Sequence, residues 1–124
     1  MKSDTIWAAA FILGTIAATP PVAAQGREFY VMQYNSSIME FNKAVGRINA
    51  LKTGMNSERD FTRGCSMMNE LISELAEAQI LAEKLADYAN QLGETEDHRQ
   101  AVDLHNAYLE ERHHWEGERS RICR

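Results

Sequence analysis

Proline is absent after Pro21. Everything downstream can therefore run in long helices with no pyrrolidine ring to break the hydrogen-bond ladder. The N-terminal apolar run, Ile6 to Ala18, has 13 residues, short of the ~20 that span a bilayer. Positive charge is scarce. The net charge is −5, with no arginine-rich stripe and no DNA- or RNA-binding motif, which argues against nucleic acid as a partner. The two cysteines form neither a Cys-x-x-Cys pair nor a haem-attachment Cys-x-x-Cys-His. There is no phosphate-binding glycine loop and no Ser-His-Asp set in a strand–turn–helix context. Redox, haem, nucleotide and acyl-transfer chemistry each lose their usual signature, so the chain is not expected to be an enzyme and no cofactor is expected.

The N-terminus carries a processing pattern. Lys2 precedes the apolar run, Pro20 and Pro21 break it, and Val22-Ala23-Ala24 supplies small residues before Gln25. This reads as a signal peptide over 1–24, cleaved after Ala24, which makes the protein periplasmic or secreted. The alternative is an uncleaved anchor, and only then is a membrane involved. The remaining segment, 25–124, has about 100 residues, enough for a single small domain whose modest core benefits from a staple.

The staple is legible. Cys65 lies 28 residues before Gly93 and Cys123 lies 30 after it. If antiparallel helices flank a turn at Gly93, both thiols stand at the same height and can form one disulfide closing the open end of a hairpin. Two free or intermolecular thiols would make that symmetry accidental. An exported chain with an even cysteine count fits the paired reading.

Hydrophobic periodicity gives an all-α fold: an antiparallel three-helix bundle built on a long disulfide-stapled hairpin, with helices over about 28–52, 58–92 and 96–122. In the first, Tyr30, Tyr34, Ile38, Phe41, Val45 and Ile48 recur at steps of three and four, and Gly54 is read as its terminator. Ser57 is read as the next N-cap, with Asp60 as its capping-box partner. In the second helix, Met68, Leu71, Leu75, Ala78, Ala82, Leu85, Ala89 and Leu92 form a heptad stripe of the coiled-coil kind. Gly93 ends that helix and Thr95 is read as the cap of the third, where Ala101, Leu104, Tyr108, Trp115 and Ile122 share a face. Pairing about Gly93 sets Ala78 opposite Tyr108 and Leu109, Ala82 opposite His105, and Leu71 with Ile72 opposite Trp115. Small residues then meet large ones.

A first helix ending at Lys52 is too short to cover the hairpin and should run out near residue 80. Leu81, Leu85, Tyr88, Leu92 and Leu104 would then form an exposed apolar patch, a contact surface for a protein partner or for a second copy in a homodimer. The other possibility is that residues before Glu28 fold back over it.

Two Glu-x-x-His matches, Glu110 to His113 and Glu111 to His114, suggest metal. They overlap on one helix, and their histidines point to opposite flanks, so a di-metal core site does not follow. A surface site from Glu74, Glu77, Glu111 and His114 is the metal-binding alternative, because the acidic ridge of the second helix stands level with residues 111–118. His105 is read as an interface histidine. The function expected is an exported helical binding or assembly module with no catalytic activity. The alternatives are a metal- or small-ligand-binding bundle and a membrane-tethered periplasmic stalk.

Overall fold

The structure is a computed structural model that describes residues 25–123; residues 1–24, read from the sequence as a signal peptide, lie outside the described residues. Three helices account for almost all of it: α1 (Gln25–Ser57), α2 (Phe61–Gln91) and α3 (Thr95–Ile122). They pack as an all-helical bundle, and Cys65 and Cys123 are joined, with their α-carbons 5.9 Å apart.

The central helix is α2. Its stripe buries Met68, Leu71, Leu75, Ala78, Ala82, Leu85 and Ala89, with Leu92 just past its end. The alanines let neighbouring backbones approach closely. By contrast, α1 and α3 keep their α-carbons more than 8 Å apart throughout the described residues. Bulky side chains bridge that gap: Phe41 meets Tyr108 edge to face with ring centroids 5.7 Å apart. The edge of one ring thus faces the π-cloud of the other, the favoured aromatic geometry.

The turn between α2 and α3 follows from Gly93. Its φ of 73° is in the left-handed region, which glycine adopts without a Cβ penalty. Gly93 N–H donates to Asn90 O at 3.1 Å and Glu94 N–H to Ala89 O at 2.9 Å. These are the paired bonds of a Schellman motif, satisfying carbonyls that the helix end would leave open. The N-terminal flank of α3 departs from expectation: Glu94 holds the N-cap position without a side-chain cap bond, and Thr95 is already helical.

Across the hairpin the expected register holds. Cys65 meets Cys123, Arg119 Nη1 donates to Asn69 Oδ1 at 3.2 Å, and His98 Nδ1 lies 2.8 Å from Ala86 O. His105 reaches Gln79 at 3.4 Å, about one turn from Ala82.

The turn between α1 and α2 corrects the sequence reading. Gly54 does not terminate α1, which continues to Ser57. A Cβ on Gly54 would stand 2.6 Å from the Met67 Cε methyl, so the glycine leaves room for that flexible side chain while the helix runs on past it. Nor does Ser57 cap α2; its hydroxyl donates to Gly54 O at 3.2 Å. Asp60 is the N-cap, its carboxylate accepting from Arg63 N–H at 3.0 Å. That bond satisfies a donor with no intrahelical acceptor.

One stability consequence concerns α3. Gly117 lies inside the helix, and a Cβ there would meet nothing within 4 Å. Glycine costs ~1 kcal/mol relative to alanine in a helix interior. Gly117→Ala is therefore expected to raise the unfolding free energy by about 0.5–1 kcal/mol, read from urea melts.

Candidate interaction face

The turn geometry decides what becomes of the patch expected near Gly93. Because α1 runs on to Ser57, its turn into α2 is centred at Arg59-Asp60, and the rest of α1 slides toward Gly93. Arg27 Nη1 then donates to Leu92 O at 3.3 Å, Tyr30 meets Tyr88 with ring centroids 6.2 Å apart, and Arg47 Nε bonds Glu74 Oε1 at 2.9 Å. Leu81, Leu85, Leu92 and Leu104 are buried, and Tyr88 is partly buried against the core. The expected patch is core beneath α1, not a contact surface.

The four residues of the metal alternative are not brought together. Glu74 pairs with Arg47. Glu77 is exposed on the outer side of α2. His114 is exposed, its ring edge to face with Trp115 at 5.2 Å. Glu111 is buried and forms an ion pair with Lys52, itself buried. Among the described residues no group of three or more His, Cys, Asp or Glu side chains is placed to hold a metal ion.

The Lys52–Glu111 pair was missed, although the periodicity carries its signal. Glu111 fills the three-then-four step between Tyr108 and Trp115 on the apolar stripe of α3, and Lys52 follows Ile48 by four on that of α1. Two opposite charges at core positions of two helices are what a buried pair needs. Trp115 Nε1 donates to Glu111 Oε2 at 3.4 Å, giving the carboxylate a second partner.

The buried tyrosines are kept neutral. Burial pushes the Tyr108 phenol up to about 12. Tyr34 is raised further, by burial first and then by the carboxylates of Asp97 and Glu94. Asp97 is raised by its own burial, with Glu94 and Glu96 adding to the effect.

What the fold leaves open is the outer face of α1 and α2, away from α3. Phe29, Met32, Met39 and Ile80, four of the seven large hydrophobic residues exposed among the described residues, lie there, each more than half exposed. On α1, Phe29, Met32, Ser36, Met39, Lys43, Gly46 and Ala50 fall on one stripe in steps of three and four, opposite the buried Tyr34, Phe41 and Val45. Glu40, at the edge of this stripe, leans over a groove of about 370 Å³ whose far wall is α2, with Ser73, Glu77, Ile80 and Lys84. The two stripes thus adjoin across one groove. This second periodicity in α1 was present in the sequence beside the core stripe.

Among the described residues no helix is long and apolar enough to cross a membrane. Comparison with known proteins returned no match: no family model, no curated protein and no solved structure is similar to the chain.

Proposed function

We propose that the protein is a non-catalytic helical binding and assembly module of the periplasm or the secreted fraction, working through the outer face of α1 and α2. The observation that carries this reading is the gathering of Phe29, Met32, Met39 and Ile80 on one side of a small protein, around a groove edged by charges. Scattered single apolar residues are ordinary on a surface, whereas several large ones sharing a face with a groove edged by charges have the mixed apolar and polar make-up of a contact site. Methionine fits such a role because its flexible thioether adapts to a partner's contour. The disulfide supports this compartment, since cytosolic reductants keep such pairs open.

A photo-reactive side chain placed at Met39 in cells exporting the protein is expected to give covalent protein adducts. The same group at Val102, on the exposed side of α3, is expected to give none. Equal labelling at both positions, or none at either, overturns this use of the face.

A further inference from the structure

We infer that the occupant of the α1–α2 face is a second copy of this chain, packed antiparallel about a two-fold axis at the level of Met39 and Ile80. This inference rests on the reading of that face as a contact surface and adds what binds there.

Charge carries the argument first. Glu77 and Lys84 flank Ile80 on the exposed side of α2, one on each side along the helix. Neither has an ion-pair partner among the described residues. In an antiparallel α2–α2 contact centred on Ile80, Lys84 of each copy falls opposite Glu77 of the other. The two-fold axis makes both pairs at once. A parallel contact would set lysine against lysine and glutamate against glutamate. The face is therefore complementary to itself in one orientation and repulsive in the other.

The size pattern of α1 selects the same orientation and the same centre. Antiparallel pairing about Met39 sets Met32 opposite Gly46 and Phe29 opposite Ala50 of the second copy. These two large exposed side chains each meet a small one, as interdigitation requires, and Met39 meets its own copy on the axis. Within one copy the two centres are level: Arg47–Glu74 and Tyr30–Tyr88 set an α1–α2 register that places Glu40 beside Ile80, and both line the groove. Two stripes on different helices, read independently, thus give the same axis.

The extent is adequate. From Phe29 to Ala50 the face is about 32 Å long, and it is two helices wide, or on the order of 600 Å² per copy in projection. That is near the lower end of stable interfaces, which bury roughly 600–1,000 Å² per partner. Association in the micromolar range is expected.

The test is sedimentation equilibrium of the purified, disulfide-intact protein from low micromolar to about 1 mM. A monomer–dimer equilibrium is expected. Glu77→Lys alone and Lys84→Glu alone should each weaken it at least ~10-fold, because each puts like charges together twice. The double variant, which exchanges the two charges, should recover most of the loss. Circular dichroism melts of each variant check that the fold is kept. With Ile80→Cys, a short bis-maleimide should link two copies, whereas Val102→Cys should not.

A chain that stays monomeric to about 1 mM overturns the inference. So does a dimer indifferent to both charge reversals, or one cross-linked equally from position 102. The Met39 photo-adducts separate this failure from failure of the face itself: adducts to another protein, with a monomeric purified chain, leave the contact reading standing and remove the second copy.

Discussion

Replacing Cys65 and Cys123 together by alanine is expected to lower the unfolding free energy by about 4 kcal/mol. The bond closes a loop of 58 residues, and the loop-closure entropy withheld from the unfolded chain at that length gives about this value. Its setting makes the loss consequential, because the core thins toward the disulfide end. Beyond Tyr108 the interior of α3 offers a charged Glu111 and a partly buried Trp115, then Arg119 on the same face, while Ile122 is more than a third exposed. Arg119 is held to α2 by its bond to Asn69, an exposed contact of small net worth. A domain of this size has ~5–15 kcal/mol in total, so the variant should remain folded in its Gly93 half and fray at its open end. Urea denaturation gives the magnitude. Hydrogen exchange gives the place, with protection lost from Trp115 onward and kept from Ala78 through Leu104. A loss below about 1 kcal/mol, or uniform deprotection, would contradict the view that the bond substitutes for missing core at one end.

The fold class and the staple were legible because they rest on features that survive small errors in boundary. The α2 stripe spans seven steps, so trimming either end leaves its face unchanged. The symmetry of Cys65 and Cys123 about Gly93 depends on a single turn, and the positive φ of Gly93 is what its residue type allows. The turn after α1 offered no such redundancy. A glycine after an amphipathic run is compatible with a C-terminal cap and equally with a helix interior, and the two are separated by the helical path of the chain through Gly54 to Ser57. Reading Gly54 as a stop placed the turn centre about five residues too early. In an antiparallel pair that error doubles, and ten residues of helix are about 15 Å. This is why Leu81, Leu85, Leu92 and Leu104 were read as surface and are core. The open face on the other side of α1 escaped for a different reason: its stripe mixes Phe29 and Met39 with Ser36 and Gly46, so it reads as weakly polar unless the exposed side is scored for large–small alternation instead of for hydrophobicity.

Removing one member of the Lys52–Glu111 pair should destabilise the protein by about 3–5 kcal/mol, while removing both should cost much less. Both side chains are almost fully buried, in the gap that keeps α1 and α3 apart. A charge stripped of its partner there retains the desolvation cost of burial and loses the Coulomb term that offsets it. Lys52→Met leaves the Glu111 carboxylate with the long bond from the neutral Trp115 Nε1 donor at 3.4 Å; Glu111→Gln leaves the Lys52 ammonium facing a neutral amide. Lys52→Met with Glu111→Leu replaces both by apolar groups of similar volume, and buried pairs exchanged in this way are often neutral or stabilising. The double-mutant cycle should therefore give a coupling of at least ~2 kcal/mol, within the range found for residues in direct contact. The result also bears on what the pair is for. With no backbone of α1 near that of α3, an all-apolar seam would let α1 slide along its axis by a turn with little penalty. A single buried charge pair has one register in which both members are satisfied. If the doubly substituted protein keeps its stability yet shows broadened amide resonances along α1, the pair fixes register; if its spectrum is as sharp as that of the parent, the Gly54–Met67 approach and the Arg47–Glu74 bond suffice to hold α1 in place.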